Sequence, residues 1–176
     1  MVPMNESDRS VSYSDRLRTT LSSMQLWCRF IEFDGPVKTV EQAAKSVEAE
    51  KIAKSIVMID SNGEPLLAII PAQSMVSHKK LKGLLNVRDV RLANAEEVLR
   101  HSGYPVGGVP PFNKIKRVLL DQQVLRSETA IVGGGDINML LEIRTKDIVT
   151  AANAKVAEVT KNESIQVAKT VSDGTG

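Results

Sequence analysis

The chain has 176 residues, of which 42% are hydrophobic and 25% are charged, and its formal net charge is +2. This composition indicates one globular domain of ordinary soluble type. The longest apolar stretches, such as residues 66–70, fall far short of the roughly 20 residues that a membrane-spanning helix needs. Residues 1–14 are polar and lack the apolar block of a secretory signal. We therefore expect a cytoplasmic protein that does not enter the membrane.

The sequence has few residues of the kinds that bind metals or act as nucleophiles. Its single cysteine, Cys28, excludes an internal disulfide and any multi-cysteine metal site. Cys28 lies in an apolar run, which is typical of a buried core thiol rather than an activated one. His78 lies beside lysines and His101 lies near a predicted helix end, so each has a structural explanation. We expect no metal, no cofactor and no covalent catalysis.

The first half of the chain predicts a helix followed by a hairpin. The helix should begin near Thr39, because the sequence at 39–42 places a capping hydroxyl three residues before Gln42. Residues 55–59 and 65–70 are short runs rich in Ile and Val, which predict two strands. The sequence Asp-Ser-Asn-Gly separates them and favours a tight turn, because Asn and Gly tolerate positive φ.

Two capped helices should follow the hairpin. Ser77 can cap a helix that carries leucines at positions 81, 84 and 85. Asn94 and Glu97 form a second capping arrangement, and the helix that they begin should end at Gly103.

The last third of the chain predicts strands and one more helix. Residues 118–120, 130–132 and 139–143 are apolar runs of strand length. Thr145 is predicted to cap a last helix that runs through Ala152.

This order of elements indicates a mixed α/β (α+β) fold, because hairpins and isolated helices do not form a regular βαβ series. We expect a single domain with a mainly antiparallel, barrel-like mixed sheet surrounded by helices. Both ends of the chain are polar, which predicts a peripheral N-terminal segment at 1–24, a working domain at 25–153 and a peripheral C-terminal tail at 154–176.

A short basic segment could meet phosphates. It contains Lys79, Lys80, Lys82, Arg88 and Arg91, and only Asp89 opposes them. The segment predicts either a local positive surface or an ordinary solvated helix face.

The loop at 103–112, Gly-Tyr-Pro-Val-Gly-Gly-Val-Pro-Pro-Phe, contains three glycines and three prolines. Prolines fix φ, whereas Gly107 and Gly108 allow backbone to approach a ligand and leave amide donors available. Such a wall suits a small polar ligand or a developing oxyanion. A rigid turn without a ligand fits the composition equally well.

Two further features could contact a ligand. Lys54 stands at the start of the first hairpin strand and could hold a phosphate, or it could simply be a solvated strand-end lysine. The glycine run at 133–135 precedes Asp136 and could approach a ribose or phosphate, but it matches neither a dinucleotide fingerprint nor a P-loop.

Taken in order, these segments resemble the YbaK/ProX family, which includes the editing domain of bacterial prolyl-tRNA synthetases and its free-standing relatives. The resemblance runs from about Trp27 to Ala152. It rests on Pro-Val-Lys-Thr-Val-Glu-Gln-Ala-Ala at 36–44, Ile-Ala-Lys-Ser-Ile-Val-Met at 52–58, Leu-Ala-Ile-Ile-Pro at 67–71, Lys-Lys-Leu at 79–81, the loop at 103–112 and Val-Gly-Gly-Gly at 132–135.

The resemblance implies an aminoacyl-tRNA deacylase that hydrolyses the ester of a misacylated tRNA. The substrate would be an aminoacyl-tRNA, namely proline tRNA carrying a small wrong amino acid such as Cys or Ala, and the partner could be a prolyl-tRNA synthetase. The attacking water would be oriented by backbone and by the ribose hydroxyl of the substrate.

The resemblance also implies a set of site residues. Lys54 would hold the phosphate of the terminal adenosine, and the loop would contact the ester and exclude the bulkier correct amino acid. The catalytic set is Lys54, Gly107, Gly108, Val109, Pro110 and Pro111. The substrate-binding set is Ser55, Lys79, Lys80, Gly133, Gly134, Gly135 and Asp136.

Several alternatives stay open at this point. Asp136 and Glu142 are both candidates for an acidic residue that family members often carry after the glycine run. Cysteine, alanine, serine and threonine are all possible as the amino acid removed. A non-catalytic tRNA- or nucleotide-binding module would share the fold, and a structural partner protein without a ligand is the third interpretation. The sequence does not give the oligomeric state.

Overall fold

The computed structural model describes residues 11–38, 42–43 and 47–162. The helix predicted from Thr39 falls largely outside these residues. The described α-helices are α1 (Tyr13–Ser23), α2 (His78–Leu85), α3 (Ala95–Ser102) and α4 (Thr145–Ala151), with 3-10 turns at Ala49–Lys51 and Gln122–Arg126. None of the helices in this part of the chain combines the length and apolar composition needed to cross a bilayer.

The predicted hairpin is confirmed. Strands β2 (Ala53–Asp60) and β3 (Pro65–Pro71) pair antiparallel. Gly63 takes a φ of 80° in the turn, where glycine avoids the strain of a side chain. The Asp60 carboxylate closes the turn by accepting hydrogen bonds from the amides of Asn62 (2.8 Å) and Glu64 (3.0 Å).

Both helix caps after the hairpin are confirmed. The Ser77 hydroxyl accepts from the Lys80 amide at the start of α2. Asn94 and Glu97 form a reciprocal capping box at the start of α3. The helix ends at Gly103, whose φ of 82° allows the left-handed conformation that terminates helices.

The prediction that Thr145 caps the last helix is wrong. Thr145 is the first residue inside α4 rather than the residue before it, and no side chain caps this helix. Its hydroxyl instead donates to the carbonyl groups of Ser127 (2.9 Å) and Glu128 (3.2 Å). Thr145 is buried against the segment that precedes β6, so its hydroxyl satisfies the carbonyl groups of that segment.

The strands form two sheets. The smaller sheet has the order β1 (Cys28–Glu32), β7 (Met139–Arg144), β6 (Thr129–Gly133), and both pairings are antiparallel. The larger sheet has the order β4 (Val90–Leu92), β2, β3, β5 (Val118–Asp121), β8 (Lys155–Ala157). In it β5 pairs parallel with β3 and with β8, whereas the other pairings are antiparallel.

The single-domain mixed α/β architecture is therefore confirmed, but the sheets of the described residues do not close into a barrel. The three-residue strands β4 and β8 end the larger sheet on its two sides. A parallel bridge between Ile52 and Ile131 connects the two sheets.

The apolar core lies on both faces of the larger sheet. Leu67 and Ile69 of β3 pack with Val132 and Leu141 of the smaller sheet. Side chains alternate along a strand, so Leu66, Ala68 and Ile70 face the other way and pack with Leu81 of α2. Burial on both faces explains why β3 is apolar at successive positions rather than alternating.

Both ends of the described chain contribute to this core. In α1, Leu17 and Leu21 are fully buried in the cluster between the sheets. At the other end, β8 adds a strand, and the amide of the buried Val159 donates to Asp121 at 2.9 Å. Both segments were predicted to be peripheral, and the described parts of them are packed. The domain boundaries themselves stay predictions.

A buried ion pair joins the hairpin turn to the segment before β5. The Asp60 side chain is 1% exposed and lies 2.9 Å from Nη1 of Arg117, which also donates to the carbonyl groups of Glu64 and Pro65. Burial alone would raise the pKa of Asp60. The amides of Glu64 and Asn62 and the Arg117 guanidinium outweigh this effect and lower the pKa below its ordinary value.

We expect Arg117→Ala to lower the free energy of unfolding by about 1–3 kcal/mol at neutral pH, because it leaves a buried carboxylate with fewer partners. The contribution of a carboxyl group with a lowered folded-state pKa is present above its unfolded pKa and is lost as the pH falls through the folded value. The difference between the two proteins should therefore shrink on acidification. Urea unfolding at several pH values measures it. The exposed Arg88→Ala is the control, and an equal loss in both variants would contradict the prediction.

Candidate functional site

A cavity of about 210 Å³ lies where the start of β2 meets the 103–112 loop and the end of β6. It is smaller than the roughly 300–1,000 Å³ of typical sites for drug-sized ligands. The described residues around it are mostly small or apolar and include no Asp, Glu, His or Cys: Val37, Lys38, Ala43, Ile52, Ala53, Lys54, Ser55, Ala72, Gly107, Val109, Gly133 and Leu140. We call it the Lys54 cavity.

Lys54 projects from β2 into this cavity and is half-buried. Within the described residues its ammonium group has no hydrogen-bond or ion-pair partner. Lys38 is the other cation of the lining. A cavity with two cations and no opposing carboxylate in its described lining favours an anionic group such as a phosphate.

Ser55 is the next residue of β2 and presents an unusual hydroxyl. Its Oγ is buried and has no hydrogen-bond partner among the described residues. Leaving such a group unpaired costs about 1–3 kcal/mol, so a buried orphan requires an explanation. Side chains alternate along a strand, so the Ser55 hydroxyl points to the opposite face of β2 from Lys54, toward the core where Ala53 and Val57 pack.

Two glycine loops form one wall of the cavity and touch each other through their backbones. The Gly135 amide donates to the Gly108 carbonyl at 2.9 Å. A Cβ on Gly108 would collide with the Gly135 carbonyl, and a Cβ on Gly133 would lie 2.5 Å from the Val109 carbonyl oxygen. Only glycine permits this approach.

The 103–112 loop also leaves backbone donors available at the cavity. Gly107 takes a φ of 89°, and Gly107 and Val109 both line the cavity. The Gly108 amide is used within the loop, where it donates to Pro105. Neither the Gly107 nor the Val109 amide has an acceptor among the described residues. They can therefore serve a ligand.

The start of α1 holds the second glycine loop in place. The Ser14 hydroxyl donates to the Gly134 carbonyl at 2.6 Å and accepts from the Asp136 amide at 3.0 Å. The Ser14 amide donates to the Asp136 carboxylate at 3.2 Å. Sequence reasoning missed Ser14, although its position two residues after the capping Ser12 is a helix-start signal.

These contacts give the two candidate acids structural roles. Asp136 binds the first turn of α1 and is not part of the described lining of the Lys54 cavity. Glu142 pairs with Arg29 at 3.1 Å and accepts from the Thr129 hydroxyl, and it is likewise absent from that lining.

The structure brings together part of the predicted site and separates the rest. Lys54, Ser55, Gly107, Val109 and Gly133 meet at the cavity, and Gly108, Gly134 and Gly135 support its wall. The other predicted residues do not line it: Pro110 and Pro111 are buried in the loop, and Lys79 and Lys80 belong to α2.

The basic segment is partly neutralised. The Lys80 ammonium contacts Glu158 (2.6 Å), the Thr160 carbonyl (2.7 Å) and Asn162 (3.0 Å). Arg91 makes two hydrogen bonds of 2.8 Å to Glu97 and lowers the pKa of that carboxyl to about 2. Two of its five cations are therefore engaged with acids.

The Cys28 thiol is half-buried rather than fully buried. Burial raises its pKa, although the nearby Arg18 opposes this effect. A raised pKa keeps the thiol protonated at neutral pH, so it is a poor nucleophile.

Residues 34–151 match the family model of the aminoacyl-tRNA editing domain. The match covers most of the chain and includes Lys54 and both glycine loops. The chain therefore belongs to the family of aminoacyl-tRNA editing domains.

The chain is similar to two curated proteins and to one solved structure. A proposed Cys-tRNA(Pro)/Cys-tRNA(Cys) deacylase, EbsC, of Enterococcus faecalis is 26% identical over 129 residues, which are 71% of this chain and 79% of EbsC. A proline–tRNA ligase of Thermosipho africanus is 34% identical over 101 residues, which are 56% of this chain but only 18% of the ligase. A solved structure, described as a proposed trans-editing enzyme for prolyl-tRNA synthetase, has the same fold with a TM-score of 0.76 and 24% identity over 85% of this chain and 98% of its own.

We expect Gly108→Ala to lower the free energy of unfolding by about 1–3 kcal/mol, because the added methyl group forces the two glycine loops apart. The control is Gly83→Ala in α2, where a Cβ meets nothing within 4 Å. That substitution should raise stability by roughly 0.5–1 kcal/mol, since alanine favours the helix. Thermal unfolding compares the variants. A Gly108→Ala protein as stable as the wild type would show that the loops are not in contact.

Proposed function

We propose that the chain hydrolyses the ester of a misacylated tRNA in trans, and that the substrate is proline tRNA carrying a small wrong amino acid. The observation that carries the proposal is the Lys54 cavity, whose lining combines an ammonium group and backbone amides that have no partner among the described residues. The relation to a proline–tRNA ligase favours proline tRNA and makes a prolyl-tRNA synthetase a plausible partner.

In this proposal Lys54 positions the substrate. The terminal nucleotide of a tRNA carries its phosphate close to the esterified ribose, and a lysine binds such a phosphate as a point charge. Lys54 has no acid to neutralise it among the described residues, so its charge is available to the substrate. Binding the phosphate beside the small cavity would place the aminoacyl group inside it.

The wall of glycine loops supplies the chemistry and the selectivity. The amides of Gly107 and Val109 can stabilise the negative charge that develops on the ester oxygen during attack by water. The tightly packed backbone and the side chains of Ile52 and Leu140 limit the space, so a bulkier amino acid is excluded. Such exclusion by size is the logic of a second sieve.

No Asp, Glu, His or Cys side chain is present in the described lining of the cavity, whose titratable side chains are Lys38 and Lys54. In the proposed reaction the water is oriented by backbone and by the ribose hydroxyl of the substrate, as the family resemblance implies. The same observation favours the second candidate, a tRNA-binding module of the same fold that performs no hydrolysis.

We expect the purified protein to deacylate proline tRNA charged with one of the small amino acids alanine, cysteine or serine, and to spare prolyl-tRNA. Lys54→Ala should lower kcat/KM by about 10- to 100-fold, because a hydrogen bond to a charged group contributes about 1.5–3 kcal/mol. Release of radiolabelled amino acid measures the rate. Lys82→Ala removes the same charge from α2 and is the control. A folded protein that binds the tRNA but releases no amino acid would favour the binding module.

We expect Ser55→Ala to leave the ligand-free protein as stable as the wild type or about 1 kcal/mol more stable, because it removes an unsatisfied buried hydroxyl. It should leave kcat/KM within about twofold of the wild type, since the hydroxyl lies on the opposite face of β2 from Lys54. Ser22→Ala, on the exposed side of α1, serves as the control. A clear loss of kcat/KM with unchanged stability would contradict this expectation and mean that the hydroxyl contacts the substrate.

A further inference from the structure

A second cavity, larger than the Lys54 cavity, is also lined by residues of the 103–112 loop. Gly107 and Val109, in the middle of the loop, line the Lys54 cavity, whereas Gly103, Tyr104 and the loop's last residues line the second. The second cavity has a volume of about 580 Å³ and extends from α1 to the end of α4. We call it the Arg16 cavity.

The charge of the Arg16 cavity has one sign. Its described lining contains Arg16, Lys114 and Lys116 and no Asp or Glu. Three positive charges therefore face this cavity, although the whole chain has a net charge of only +2. Lys114 and Lys116 are exposed and form no ion pair with the described residues.

Arg16 is held rigidly at the edge of this cavity. Its Nη2 donates to the Gly103 carbonyl at 2.6 Å. Its guanidinium lies 5.3 Å and 5.1 Å from the ring centres of Tyr13 and Tyr104. These contacts fix the side chain without neutralising its charge, because neither a carbonyl nor an aromatic ring carries a formal negative charge.

The cations of the basic segment at 79–91, by contrast, are partly paired with acids. There, Lys80 and Arg91 are paired with Glu158 and Glu97. Around the Arg16 cavity no described carboxylate competes for the cations. A polyanion gains most from cations that are unpaired and placed around a concave surface.

We propose that the Arg16 cavity binds the sugar–phosphate backbone of the acceptor arm of the tRNA whose aminoacyl end enters the Lys54 cavity. This inference rests on the proposed function, because it takes an RNA as the partner. The 103–112 loop contributes residues to the lining of both cavities, so a nucleic acid that binds at the Lys54 cavity would have this positive surface on the other part of the same loop. Lysines bind the phosphates as point charges and Arg16 can contact one through its planar guanidinium.

The test measures binding of an uncharged proline tRNA transcript, so it does not depend on hydrolysis. The double variant Lys114→Ala/Lys116→Ala should weaken binding on the order of tenfold at 0.1 M salt and reduce the slope of log affinity against log salt by about 2. The matched control is Lys82→Ala/Arg88→Ala, which removes two charges from the rival segment. Thermal unfolding of both variants checks that they fold. Arg16 is left unchanged because it supports Gly103.

The outcomes separate this inference from the proposed function. A larger loss of binding in Lys114→Ala/Lys116→Ala than in the control supports the Arg16 cavity as the RNA surface. An equal or smaller loss overturns it. If the wild type binds tRNA through this surface but hydrolyses no aminoacyl-tRNA, the proposed hydrolysis fails and the surface stands. If the wild type hydrolyses the ester and Lys114→Ala/Lys116→Ala binds normally, the surface fails and the proposed hydrolysis stands.

Discussion

The contact between the backbones of Gly108 and Gly135 is the constraint on which the candidate site depends. It joins two loops that are distant in sequence, and a side chain on Gly108 would push them apart. Ser14 adds a second link, because its hydroxyl donates to the Gly134 carbonyl and accepts from the Asp136 amide. The first helix, which lies outside the residues matched to the editing-domain family, therefore contributes to the wall of the Lys54 cavity. Packing, not local sequence, gives this helix its role.

The cavity is energetically costly for the folded protein. Ser55 buries a hydroxyl without a partner, and Lys54 brings a charge to a half-buried position without a counter-ion among the described residues. Such features persist when the rest of the fold supplies the stability. Here β3 is buried on both faces and packs against two separate apolar clusters. The stability of this core thus compensates for the unpaired groups around the cavity.

The elements that could be predicted depend on chemistry between near neighbours in sequence. The hairpin turn after Asp60 and the caps of α2 and α3 form between residues no more than four positions apart, so their signals are visible in the sequence. The elements that were missed depend on distant partners. In α1 two buried leucines are recognised as core only when both sheets are present, and the short strands β4 and β8 are defined by their neighbours in the larger sheet. Thr145 was misassigned for the same reason, since its hydroxyl donates to the carbonyl of Ser127, which lies before β6.

The sequence by itself determined the family resemblance, the glycine loops and the lysine at the start of β2, because these are motifs of residue type and order. Only the tertiary structure decided which of the many cations remain unpaired. Lys80 and Arg91 are engaged by Glu158 and Glu97, whereas Lys114 and Lys116 face a cavity with no acid in its described lining. The physical reason is that electrostatic interactions depend on distance in space and on solvent exposure. Residues 78 positions apart, such as Lys80 and Glu158, have no relation in the sequence until the chain has folded.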